Sequence, residues 1–161
     1  MMTPLPGGVF PPIPTFFDEQ GELDLATLAR HVAWLLELPL AGILALGSNG
    51  EAMHLNDGER VAVILAVREA LDQHQGATRR VLLAGTADFS TRGTIARCRA
   101  AAEAGADAAV VLPPFAFPTQ MTPAALRAHF LAVADASPLP ILIYNMPANA
   151  ANLDLSAELL I

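Results

Sequence analysis

Three short stretches of this chain hold residues able to do chemistry, and each directly follows an apolar run. Gly47-Ser48-Asn49-Gly50-Glu51 comes after Gly42 to Leu46. Two glycines around two small polar residues let the backbone turn tightly and aim N–H groups at one point, which makes a natural seat for a carboxylate. The Ser48 hydroxyl has the chemistry to pass a proton and the Asn49 amide to bind an oxygen. A plain turn with a satisfied serine fits the same residues as well. Tyr144-Asn145-Met146-Pro147 is the second stretch, and Tyr144 is the only tyrosine. A phenol in that position serves as a general acid or base, although a lone tyrosine is more often a half-buried packing residue with one hydrogen bond. The third, Pro113 to Pro118, is a stiff apolar loop that either walls a pocket or, more commonly for such a loop, packs against protein.

The elements that must position these stretches follow from periodicity and punctuation. A proline-rich first strand is expected over Gly8 to Phe17, then short apolar strands over Gly42 to Leu46, Val81 to Ala84, Ala108 to Leu112 and Pro140 to Tyr144. Helices alternate with them. Asp24 to Leu38 carries a 3.6-residue apolar period, and Asn56 to His74 opens with Asn56 and Glu59 at capping-box spacing. Ser90 caps a third helix that ends before Gly105, and Thr122-Pro123 begins a fourth that runs to about Ala136. A fifth helix starts at Ser156. Strands apolar on both faces and separated by helices imply a parallel sheet covered on both sides, either doubly wound or part of a (β/α)8 barrel. A full barrel takes about 250 residues, and five eighths of that is roughly 156. The 161 residues present therefore predict an α/β fold, a (β/α)8 TIM barrel truncated after about five βα units, as one incomplete domain over residues 1–161.

Composition narrows the partners. The net charge is −7 from scattered acids with no basic patch, which argues against nucleic acid and anionic membrane. No apolar run approaches the ~20 residues of a membrane span. The single cysteine, Cys98, falls on a helix and forms no internal disulfide, and residues 1–8 have no basic start or apolar core of a signal peptide, so a cytoplasmic location is expected. His31, His54, His74 and His129 have no metal-ligand spacing, and no metal is expected. Glu51 reads as a loop brace, the Arg79-Arg80 pair with Arg92, Arg97 and Arg99 as solvated charges, and Cys98 as buried packing.

Gly8-Val9-Phe10-Pro11-Pro12-Ile13-Pro14-Thr15, Leu46 to Glu51, Leu83-Ala84-Gly85-Thr86, Ala104 to Ala108 and Ile143 to Pro147 occur in this order and spacing. Together they resemble the dihydrodipicolinate synthase/N-acetylneuraminate lyase family of pyruvate-dependent class I aldolases, from about residue 8 to the last residue. The resemblance implies a Schiff base between a lysine on the sixth barrel strand and the keto carbon of a pyruvate-like substrate, without metal or organic cofactor. The iminium then serves as electron sink for the adjacent C–C bond. By the same resemblance Tyr144 and Ser48 are the catalytic proton-relay positions. Gly47 and Asn49 hold the pyruvate carboxylate, and Asn149 faces the rest of the substrate. Family members are commonly homo-oligomers.

All nine basic residues are arginines. The family's lysine falls beyond Ile161, so the chain as written does not make the covalent intermediate by itself. A complementing C-terminal part, or another chain, would supply that amine. Other departures bear on the substrate. Dihydrodipicolinate synthases usually have two threonines where this chain has Ser48-Asn49, an arginine for a second carboxylate where it has Asn149, and a relay tyrosine where it has Ala116. Losing a bidentate carboxylate binder is not conservative. These residues look more like lyases of 4-hydroxy-2-oxoglutarate or 2-keto-3-deoxy sugar acids. The alternative is a non-catalytic binding or assembly fragment of the same fold.

Overall fold

The computed structural model describes residues 5–74 and 79–160. Helix α1, Leu25–Leu35, starts where the Asp24 carboxylate accepts the Thr27 N–H at 2.9 Å. It buries Leu28, Val32 and Leu35, one stripe of a 3.6-residue period. The helix stops three residues earlier than its apolar pattern predicts. Pro39 disfavours helical backbone at Leu38, and the Glu37 and Leu38 N–H groups tighten onto Trp34 and Leu35 carbonyls instead.

Strand β1, Gly42–Ala45, leads to α2, Asp57–Gln73, whose capping box is complete: Asn56 accepts the Glu59 N–H and the Glu59 carboxylate accepts the Asn56 N–H. Strand β2, Val81–Gly85, is followed by α3, Thr91–Glu103, capped by Ser90. Strand β3, Ala108–Val111, precedes α4, Pro123–Ala136, capped by Thr122 with proline in its first turn. Strand β4, Ile141–Ile143, and the short α5, Ala157–Leu160, complete the order. The strands form one parallel sheet in the order β1-β2-β3-β4, each crossover made through a helix.

The expected first strand does not form as a ladder. Its segment lies beside β1 through Leu44 N–H to Pro11 O and Ile13 N–H to Leu44 O, both 3.0 Å, with a single parallel bridge between Pro12 and Leu44. Prolines at 11, 12 and 14 leave too few donors for a regular strand. The segment still takes the place a first strand would hold.

Two apolar layers follow from strand alternation. Ile43, Ala45, Leu82 and Ala84 pack with Leu28, Val32, Val63 and Val67 of α1 and α2. Ala109 and Val111 pack with Leu126, Phe130 and Val133 of α4. The opposite face of β2 and β3 presents Val81, Leu83, Ala108 and Val110, against which Phe10, Leu44 and Tyr144 rest. Several arginines expected to be solvated are tied down. The Asp107 carboxylate, at the head of β3, accepts the Leu82 N–H at 2.8 Å and pairs with Arg68 and Arg79, while Arg80 donates to Leu40 O. Arg97 pairs with Asp57 at 3.0 Å and Asp88 at 3.2 Å. Among the described residues no helix is long and apolar enough to cross a membrane.

Candidate active site

All the polar stretches leave the sheet at the same end, where the strands finish. β1 ends at Ala45, and Leu46 turns into the left-handed region at φ 58°. That conformation is costly for a buried leucine, and such strain gathers at functional loops. The chain then makes two 3₁₀ turns, Ser48–Gly50 and Ala52–His54, joined through Glu51 at φ 50°. Gly47 stands at the head of the first turn. The leading N–H groups of a helical turn have no partner inside it, so those of Ser48 and Asn49 are available to an anion.

Two side chains that the sequence reading passed over hold this loop. The buried Thr15 hydroxyl donates to Gly50 O at 2.7 Å. Arg60, only 4% exposed, donates to Ala52 O in the loop and to Gly85 O at the end of β2, the latter at 2.8 Å. Burial, and then the neighbouring Arg97, lower the Arg60 pKa to about 10, so it is still a cation at neutral pH. Glu51, expected to brace the loop, is exposed and makes no side-chain hydrogen bond seen among the described residues. Arg60 and Thr15 do that work. Spacing held the signal for Arg60, which falls on the buried stripe of α2 with Ile64, Val67 and Leu71.

Gly85 lets the loop sit close. A Cβ there would meet Leu46 O at 1.9 Å, so any larger residue pushes β1 and β2 apart at the mouth of the site. After β4, the Tyr144 N–H extends the ladder to Val111 O at 2.9 Å, which places Tyr144 over the Val81–Leu83–Val110 face. Asn145 then fastens the following loop, accepting the Leu155 N–H at 3.1 Å and donating to Asp154 at 2.8 Å. The 3₁₀ turn Pro147–Asn149 carries Asn149 back toward β1, and its amide donates to the Ser48 hydroxyl at 3.0 Å.

These segments enclose a cavity of about 250 Å³. Gly47, Ser48, Asn49, Tyr144 and Asn149 all line it, together with Arg60. The rest of its wall is mostly apolar and includes Phe115 from the loop after β3, so that loop faces the cavity as well as packing against Phe89. Among the described residues no three His, Cys, Asp or Glu side chains converge as metal ligands would. His129 is buried on α4, where its Nδ1 meets the Thr91 hydroxyl at 2.9 Å, away from the cavity. Cys98 is buried and bonds the Thr86 hydroxyl at 3.3 Å.

Parallel strands joined by helices, with polar side chains gathered at the strands' carboxyl ends, define part of a (β/α)8 barrel. Residues 5–160 match the model of the dihydrodipicolinate synthetase family, and the chain belongs to that family. It is 48% identical over 155 residues to an Emericella nidulans protein named "Probable 4-hydroxy-2-oxoglutarate aldolase, mitochondrial", covering 96% of this chain and 50% of that one. It is 44% identical over 158 residues to the L-threo-3-deoxy-hexylosonate aldolase of Hypocrea jecorina, covering 98% and 50%. A prophage protein of the dihydrodipicolinic acid synthase family from E. coli K12, solved in complex with pyruvate, superposes with a TM-score of 0.84 at 34% identity, over 94% of this chain and 48% of that one. The chain thus spans about half the length of the curated relatives it matches.

Proposed function

We propose that this chain forms the carboxylate seat and proton relay of a Schiff-base-forming lyase acting on pyruvate or a related 2-keto acid. The 4-hydroxy-2-oxoglutarate or 2-keto-3-deoxy sugar acid type is favoured over dihydrodipicolinate synthase. The observation that carries the reading is the convergence of Ser48, Asn49, Tyr144 and Asn149 on one mostly apolar cavity at the carboxyl ends of the strands. The names of the Emericella and Hypocrea relatives support the substrate type.

In this reading the N–H groups of Ser48 and Asn49, with the Asn49 amide, receive the substrate carboxylate. The Arg60 cation adds a favourable field from behind the loop. Tyr144 carries a proton to and from the substrate oxygen as an amine attacks the keto carbon, and Ser48 passes it onward. The amine comes from outside these 161 residues, because none of them is a lysine. Asn149 stands where dihydrodipicolinate synthases have an arginine, and its neutral amide does not reproduce bidentate carboxylate binding, which argues against that activity. Residues 1–161 are read as one incomplete barrel domain, completed by a C-terminal part or by copies of itself.

Borohydride reduction in the presence of pyruvate, followed by intact-protein mass spectrometry on material from the source, tests the reading. One reduced pyruvate per polypeptide is expected, and Tyr144→Phe should then lower turnover about a hundredfold with the fold intact. Pyruvate bound without any adduct favours the second reading, a binding or assembly fragment, to which the absence of lysine speaks.

A further inference from the structure

We propose that Asn149 is a positioning residue that acts on the ligand through Ser48, its carboxamide holding the serine hydroxyl so that the loops after β1 and β4 are joined within one chain. This rests on the functional reading above. The contact joins residues 101 positions apart, and both side chains line the same cavity.

Each partner reaches the contact on a backbone fixed by other bonds. Ser48 opens the 3₁₀ turn Ser48–Gly50, whose Gly50 carbonyl accepts from Thr15, and Arg60 holds the next turn through Ala52 O. Asn149 ends the Pro147–Asn149 turn, whose Pro147 carbonyl accepts the Ala150 and Asn152 N–H groups at 3.0 and 2.9 Å. Asn145 anchors the same loop to Asp154 and Leu155. A hydrogen bond between two groups already held in place costs little ordering, which is the condition for a side chain to orient a neighbour.

The direction of the bond matters. Asn149 Nδ2 donates to Ser48 Oγ, so one lone pair of the hydroxyl oxygen is occupied and its hydrogen is left to point at a ligand. An alanine at 149 frees the hydroxyl to rotate, and a ligand must then order it on binding. The contact uses one amide N–H of Asn149, and through that bond the amide acts on the ligand by way of the hydroxyl.

The experiment is a double-mutant cycle in pyruvate affinity, measured by titration calorimetry on the full polypeptide as its source produces it. Asn149→Ala and Ser48→Ala should each weaken pyruvate about five- to tenfold, the loss of one hydrogen bond. The double variant should bind no more weakly than Ser48→Ala alone. Ser48→Thr, which keeps a hydroxyl, should preserve both the affinity and its sensitivity to Asn149→Ala. Additive losses in the double variant, or unchanged affinity in Asn149→Ala, overturn the proposal. Failure of the unmodified protein to bind pyruvate sinks the functional reading alone. The same four proteins compared by urea midpoint then decide the link, coupled shifts supporting it and additive ones overturning it.

Discussion

Arg60 carries a charge into a place where water is excluded, and its partners are carbonyl oxygens of Ala52 and Gly85. Both bonds run to backbone, so the guanidinium holds the loop after β1 against the end of β2. A methionine there fills similar space without donors, leaving the buried Gly85 carbonyl without its Arg60 donor and the Ala52 carbonyl with only the long Leu55 N–H bond of 3.4 Å, at about 1–3 kcal/mol, partly offset by no longer burying a cation. Arg60→Met is therefore expected to lose about 2 kcal/mol in urea unfolding. An unchanged midpoint removes Arg60 as the brace. Lysine recovers only part of the loss, because a single ammonium does not present the planar fork that reaches two carbonyls. Asn149 belongs to the same scale: an exposed side chain whose meaning depends on the one hydroxyl it reaches.

Elements meet at two points with measurable consequences. β1 and β2 approach most closely at Gly85, where a Cβ would lie 1.9 Å from Leu46 O. Gly85→Ala should displace the Ser48 loop, visible as changed backbone amide shifts for residues 46–52 and as lost stability well beyond the ~1 kcal/mol scale of a propensity effect. Amide shifts that stay in place show that the strands do not meet so closely. Helices α3 and α4 meet at Thr91 and His129. Burial pushes the His129 pKa below its ordinary value, and among the described residues its Nε2 has no partner. The unfolded chain then holds more protons than the folded one between the two pKa values, so stability rises with pH there. Stability should be full above about pH 6.5 and decline as the pH falls from there toward the lower folded-state pKa. His129→Asn should flatten that part of a thermal-melt series, and an unaltered profile assigns the pH dependence elsewhere.

For the molecule as a whole the sheet is open. β4 lies at the edge, with Leu142 38% and Ile143 37% exposed, whereas every residue of β2 is buried. An unpaired apolar edge is a template for another strand, whether from the rest of a barrel or from a second copy. The chain by itself should self-associate in light scattering, and Ile143→Lys should reduce that association. A monodisperse monomer that unfolds cooperatively sinks this expectation. The membrane question is narrower, since among the described residues no helix is long and apolar enough to span one.

The sequence by itself determined the elements and several of the residues that line the candidate cavity. Asn56 with Glu59, Ser90, and Thr122 with Pro123 mark helix starts because their bonds close within three or four residues, where spacing along the chain is spacing in space. Apolar runs of four or five residues marked β1 to β4 for a similar reason, since a wholly apolar run is legible without its partner strand, although Leu142 and Ile143 of β4 are left exposed. Gly47, Ser48, Asn49 and Tyr144 stood out because they follow those runs directly. The proline-rich first segment shows the limit, its apolar character reading as strand while its missing donors kept it from a ladder. Only the tertiary structure decided that Thr15 and Arg60 hold the loop, that Phe115 faces the cavity and that Asn149 bonds Ser48. Those pairings span 8 to 101 positions, and the long ones exist only because three crossovers bring every strand to finish at one end of one sheet.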